Sequence, residues 1–150
     1  MMRKPHIMIV EARFYEDIAD ALFEGACTAL ADFGATHERF EVAGAFELPA
    51  AIAFAHKADP GRFDGYVALG CVIRGETTHY DYVCAESARG LQDLALRENL
   101  AIGYGVLTVE NREQAWARAA VDRKNKGRDV ADACLGMISL RDRLNSRERG

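Results

Sequence analysis

Short apolar runs alternate with amphipathic stretches along this chain, and that alternation constrains the fold more than any other feature. Ile7 to Val10 is apolar at every position, the pattern of a strand buried on both faces. The next stretch switches period: Ile18, Ala21, Leu22, Gly25, Ala26, Ala29, Leu30 and Phe33 fall on one face of a helix that ends at Gly34. Thr36 to Val42 reads as a second strand, followed by a helix that Pro49 opens and that stops before Asp59-Pro60-Gly61. Tyr66 to Cys71 is a third strand, about Thr78 to Glu98 its helix, and Ala101 to Leu107 a fourth strand. Asn111 and Gln114 form a capping box for a helix through Trp116 and Ala120, and a break at Lys126-Gly127 precedes a last helix from about Arg128 to Leu144.

Strands that alternate with helices pair in parallel, because each helix carries the chain back to the starting end of the sheet. The expectation is an α/β fold, a three-layer αβα sandwich around a four-stranded parallel sheet, with the 150 residues forming one domain. Ligands of such sheets collect at the carboxyl ends of the strands. Phe14, Gly44 to Glu47, Val72 to His79 and the turn from Thr108 to Asn111 each follow a predicted strand, so they should line one rim.

Composition narrows the function classes. A net charge of −4 argues against a general nucleic-acid binder, whose phosphate contacts need a basic surface, so any anion site must be local. The run Ile7 to Val10, behind Arg3 and Lys4, is too short for a signal-peptide core, and no segment approaches membrane-spanning length; a cytoplasmic location is expected. Cys27, Cys71, Cys84 and Cys134 are far apart and form no Cys-x-x-Cys pair, which disfavours a zinc knuckle or a dithiol redox motif. His6, His37, His56 and His79 have spacings that fit no ligand pair on one helix or hairpin, which speaks against a metal hydrolase. The charge-rich stretches, Asp122 to Asp129 and the tail after Leu140, read as solvated faces.

The chemistry concentrates between Gly70 and Val83, where Gly-Cys-Val-Ile-Arg-Gly-Glu-Thr-Thr-His-Tyr-Asp-Tyr-Val leaves an apolar strand, crosses a polar turn and enters a helix. The first N–H groups of a helix lack intrahelical partners and sit at the positive end of its dipole, so a phosphate there needs little else. Gly70 and Gly75 allow close backbone approach, Thr77 or Thr78 can cap the helix or donate a hydroxyl, Arg74 adds charge, and His79 is of the type that titrates near neutrality. Taken singly, these residues also fit an ordinary cap and a structural histidine; the order of the whole string favours phosphate binding beside acid/base chemistry. Cys71 has no evident activating partner and reads as a packing residue before a nucleophile.

That string, with Glu-Ala-Arg-Phe at Glu11 to Phe14, Gly-Ala-Phe-Glu-Leu-Pro at Gly44 to Pro49 and Gly-Val-Leu-Thr-Val-Glu-Asn at Gly105 to Asn111, resembles the lumazine synthase family of riboflavin biosynthesis. Gln114, Ala115, Arg118, Ala119, Asn125, Lys126 and Gly127 follow in step, so the resemblance covers nearly the whole chain. It implies a flavodoxin-like sheet and a transferase that condenses 5-amino-6-(D-ribitylamino)uracil with 3,4-dihydroxy-2-butanone 4-phosphate. The products are 6,7-dimethyl-8-ribityllumazine, inorganic phosphate and water, and no metal or organic cofactor takes part.

Carried over residue by residue, the resemblance makes His79 the proton-transfer group and Phe14 the aromatic that stacks on the pyrimidine; without it, core packing explains Phe14 equally well. It puts Ala45 and Phe46 backbone groups near the ring and Glu47 on the ribityl hydroxyls, although a carboxylate there also suits a helix N-terminus. Relatives commonly carry Pro where this chain has Ala43. Cys71, Val72 and Ile73 match backbone contacts to the pyrimidine, and Glu76 and Thr77 match amides that hold the butanone phosphate. Glu76 departs from the small residue of many relatives, so its side chain should face solvent or pair with a base such as Arg74. Arg118 matches the phosphate-binding arginine, although by itself it reads as a solvated helix residue; Tyr104 stands where relatives often have Phe, and Lys126 is a further contributor.

In this family Tyr104, Arg118 and Lys126 belong to a neighbour's site, which implies a homo-oligomer whose working unit is a pentamer. The short segment before Ile7 and the absence of glycine in Asp122-Arg123-Lys124-Asn125 point to free or paired pentamers before a sixty-subunit shell. Two rivals remain: a catalytically weak flavin or lumazine carrier, and a flavodoxin-like or receiver module. The second would need an acidic cluster and acceptor Asp at strand ends, which this chain does not show.

Overall fold

The computed structural model describes residues 4–146. Four strands, β1 (His6–Ala12), β2 (Thr36–Val42), β3 (Gly65–Ile73) and β4 (Ile102–Val109), form one sheet in the order β2-β1-β3-β4, every pair parallel. The connecting helices are α1 (Glu16–Phe33), α2 (Leu48–Ala58), α3 (His79–Glu98), α4 (Arg112–Ala119) and α5 (Lys126–Asn145). This is the expected αβα sandwich. Among the described residues no helix is long and apolar enough to cross a membrane.

Successive side chains of a strand point to opposite faces, and the core divides accordingly. Ile7, Ile9, Val67, Leu69 and Leu107 pack with Ile18, Leu22, Leu30, Ala115 and Leu135 of α1, α4 and α5. On the other face Met8, Val10, Tyr66, Ala68 and Val106 meet Leu48, Ile52, Val83 and Leu91 of α2 and α3. Each fully buried Leu or Ile contributes about 1.5–3 kcal/mol of transfer free energy, so the two central strands are the best anchored part of the molecule.

β2 lies at an edge and is largely exposed. Its charges are paired: Glu38 bonds Arg62 and His6, and Arg39 bonds Glu11. Charged, partnered side chains discourage further strand pairing at such an edge.

Helix ends follow the predicted local chemistry with four corrections. Gly34 terminates α1 at φ 89°, where its N–H reaches the Ala31 carbonyl at 3.0 Å and that of Ala35 reaches the Leu30 carbonyl at 2.8 Å. Phe33, expected on the buried face, is 47% exposed and lines an open hollow with Lys4, Pro5 and Ile138, because the last turn of α1 runs past the core. A 3-10 turn over Ala45–Glu47 runs straight into α2, so that helix opens at Leu48 and Pro49 occupies its first turn. The Asn111 side chain accepts from the Gln114 N–H at 2.8 Å, while the Gln114 side chain reaches back to the Glu110 N–H at 2.8 Å, a capping box displaced by one residue; α4 then stops at Ala119.

The third correction concerns α5, which begins at Lys126 and contains Gly127. The break falls at Asn125, held at φ 49°. Gly127 is needed for contact instead: a Cβ there would lie 2.0 Å from the Leu22 carbonyl oxygen of α1. The fourth is the tail, where Arg141 donates to the Asn99 and Asp64 carbonyls at 2.8 Å each and thereby ties α5 to the ends of its neighbours. Arg3 and residues 147–150 lie outside the described residues.

Candidate active site

All four strands being parallel, their carboxyl ends fall on one rim, and the connections after them carry the sequence motifs to it. The β3–α3 connection is held from both sides. The Arg74 N–H bonds the Val109 carbonyl at 3.0 Å, and its guanidinium donates to Glu110 at 3.0 Å, approaches Asp81 at 3.5 Å and lies 4.3 Å above the Tyr80 ring. Arg74 is therefore occupied by two carboxylates, and Glu76 stands exposed without it.

Thr78 is the N-cap of α3, and the neighbouring Thr77 hydroxyl accepts from the His79 N–H at 3.3 Å. The backbone N–H groups of Glu76 and Thr77 have no partner among the described residues and sit at the positive end of a 20-residue helix. His79, shortly after them in the chain, lines a hollow of about 360 Å³ with Gly44, Ala45, Phe46, Glu47, Tyr82 and Val83. Glu47 occupies the N-cap position of α2 but spends no side-chain hydrogen bond on capping, which leaves its carboxylate free to accept from a ligand. Phe46 and Tyr82 are 54% and 67% exposed. Tyr82 was not anticipated; it lies three residues from His79 on the same helix face, a spacing that marks it as a neighbour.

β3 outruns β1. Its last pair with that strand is Leu69 with Glu11, whereas it stays paired with β4 as far as Ile73. One edge of Gly70–Ile73, which includes Cys71, Val72 and Ile73, is therefore without a strand partner in β1. The Cys71 side chain packs toward the α1 face, where burial pushes its thiol up to about 11. A thiol so poorly ionised is no nucleophile near neutrality.

Phe14 follows β1 and is 78% exposed, edge-on to Tyr15 at 4.8 Å, so core packing does not account for it. It lines neither the hollow that holds His79 nor the one that holds Arg118, and the same is true of Cys71, Val72, Ile73, Arg74, Glu76 and Thr77.

A second hollow of about 520 Å³ runs along β4 and gathers Tyr104, Thr108, Arg118, Lys126 and Asp129. Arg118 donates to the Gln114 carbonyl at 3.0 Å, and Lys126 stands 3.7 Å from Asp129. Burial raises the Tyr104 phenol above its ordinary value, against which its hydrogen bond with Ser87 acts. One chain thus brings Ala45, Phe46, Glu47 and His79 together, and Tyr104, Arg118 and Lys126 together, in separate places. The four histidines are dispersed, and no group of three or more His, Cys, Asp or Glu suited to a metal ion occurs among the described residues.

Residues 4–142 match a family model described as 6,7-dimethyl-8-ribityllumazine synthase. Proteins named 6,7-dimethyl-8-ribityllumazine synthase are similar over nearly their whole length. That of Bartonella tribocorum is 57% identical over 144 residues, covering 96% of this chain and 95% of its own. That of Agrobacterium fabrum is 57% identical over 146 residues, covering 95% and 99%. A protein of Rhizobium meliloti named 6,7-dimethyl-8-ribityllumazine synthase 1 is 58% identical over 144 residues, covering 94% of each chain.

Proposed function

The chain belongs to the 6,7-dimethyl-8-ribityllumazine synthase family, and we infer that it condenses 5-amino-6-(D-ribitylamino)uracil with 3,4-dihydroxy-2-butanone 4-phosphate, as a cytoplasmic single-domain enzyme. The reaction is redox-neutral. The pyrimidine's amine attacks the ketone to give an imine and water, phosphate departs by elimination, and the second amine closes the ring with loss of a further water, giving 6,7-dimethyl-8-ribityllumazine. Positioning and proton transfer supply the rate enhancement.

The observation that carries this reading is one juxtaposition: His79 and Glu47 share a hollow, and the partnerless Glu76 and Thr77 amides come just before His79 in the chain. The amides hold the butanone phosphate through the backbone, while the exposed Glu76 carboxylate stays away from it. His79 moves protons to and from the imine and the ketone-derived carbon. Phe14 stacks on the pyrimidine, backbone groups of Ala45, Phe46, Cys71, Val72 and Ile73 take its edges, and Glu47 accepts from the ribityl hydroxyls. Arg74 braces the phosphate loop through Glu110 and Asp81.

Arg118 supplies the charge for the phosphate, Tyr104 covers the ring and Lys126 assists, each from an adjacent subunit of a homopentamer. The separation of the two hollows on one chain supports this division. Free or paired pentamers are the assemblies we favour.

Purified protein given both substrates, with lumazine absorbance followed against the uncatalysed background, tests the whole. Saturable acceleration lost in His79→Ala supports the enzyme and its site together. Intact protein that binds flavin tightly and gives no acceleration would favour a carrier instead.

A further inference from the structure

We propose that the Glu11–Arg13 ion pair is the positioning device for Phe14, an inference that rests on the stacking role given to Phe14 above. Glu11 is the one charged side chain among the described residues that is fully buried, at 1% exposure. A lone buried carboxylate is costly, and here two guanidinium groups compensate it. Arg13 reaches Glu11 at 2.7 Å and also bonds Asp20 of α1; Arg39 of β2 grips both Glu11 carboxylate oxygens.

The cluster joins three elements at one point. Arg39 lies 3.5 Å over the Phe23 ring of α1, so β1, β2 and α1 are all fastened to the same carboxylate. The Arg13 side chain is only 15% exposed and is held at both ends of its fork. Phe14, next in the chain, is 78% exposed, and the one ring it touches is that of Tyr15. Nothing packed around the Phe14 ring sets its place; the backbone must, and that backbone is fixed by turning Arg13 inward. In a connection of three residues between β1 and α1, locking the first leaves the second little freedom.

The test is a double-mutant cycle on the full-length protein. Phe14→Ala is expected to raise the KM for the ribitylaminouracil about tenfold, and Glu11→Gln, which keeps the shape and removes the charge, about as much, with kcat changed less than about twofold. In the Phe14→Ala background Glu11→Gln should raise KM no further. Loss of stability alone would lower the active concentration, and with it the apparent kcat, in both backgrounds alike, and would leave KM unchanged. Arg13→Lys, which retains charge but not the two-sided fork, is the second variant and should behave as Glu11→Gln does.

If Phe14→Ala raises KM while Glu11→Gln and Arg13→Lys leave it unchanged, the positioning inference falls and the stacking reading stands. Equal KM effects of Glu11→Gln in both backgrounds also overturn it. If Phe14→Ala leaves KM unchanged, the stacking reading fails and takes this inference with it.

Discussion

His79 and Arg118 are asked for different things, and their variants should separate accordingly. A group that moves a proton in the transition state contributes to kcat, so His79→Ala should cost about 10²-fold in kcat with a smaller effect on pyrimidine KM. A guanidinium that holds phosphate in the ground state contributes to binding: Arg118→Ala should raise the KM for the butanone phosphate about tenfold or more, and Arg118→Lys should recover part of it. Initial rates with each substrate varied in turn distinguish the two. Unchanged kinetics in Arg118→Ala would remove it from the site. Two thiols, the half-buried Cys71 and the buried Cys134, give a pH prediction of a different kind. Burial lifts Cys71 from 9.0 to about 11 and Cys134 from 9.0 to about 12. Above pH 9 the unfolded chain therefore releases protons that the folded protein keeps, and stability falls as pH rises through that window. Urea midpoints at pH 8 and pH 10.5 should show this fall, and Cys134→Ala should make it shallower; an identical slope would mean that the thiol does not titrate on unfolding. At this scale the sequence was readable where residue type restricts placement, as with Gly34, which ends α1 at φ 89°. It was mute about Arg74, because only the folded chain brings Glu110 and Asp81 to that guanidinium.

Among the elements, strand and helix order was legible because burial on two faces and burial on one face leave different periods in the sequence. Boundaries were harder, and α5 shows why. A glycine near a helix start reads as a break, but Gly127 lies inside the helix because α1 and α5 approach so closely that a Cβ would sit 2.0 Å from the Leu22 carbonyl. The boundary is set at Asn125, the N-cap of α5, whose φ of 49° is invisible without its neighbours. Gly127→Ala should accordingly act as an overpacking change and cost about 1–3 kcal/mol or more, although alanine is the better helix former. Chemical denaturation would measure it; a neutral or stabilising result would show that α5 can slide away from α1 without loss. The consequence for activity is local, since α5 carries Lys126 and flanks the hollow that holds Arg118. Gly127→Ala should disturb phosphate KM before it disturbs pyrimidine KM.

On the scale of the whole molecule the informative fact is a division. His79 and Glu47 lie in one hollow, Arg118 and Tyr104 in another, and no described cavity contains both sets. The proposed pentamer would resolve this, because the rotational closure of a ring would let every subunit give one half of a site and receive the other. The sequence could not show the division directly, because spacing along the chain says which loops reach the rim and not which subunit each half serves. It has a test that needs no structure. His79→Ala and Arg118→Ala proteins, each at least about tenfold impaired when the butanone phosphate is kept below its wild-type KM, are unfolded, mixed in equal amounts, refolded together and assayed under that condition. If both residues of a site came from one chain, every site in the mixture would carry one defect and activity would stay at the level of the parents. If they come from adjacent chains, about a quarter of interfaces in randomly mixed rings join an intact His79 to an intact Arg118. Activity should then rise to about a quarter of that of wild-type protein refolded in parallel, with unaltered KM for both substrates because the rescued sites are complete. Refolding each variant alone and mixing afterwards should give no rescue while the rings stay closed, and slow recovery in that sample would measure the rate of subunit exchange.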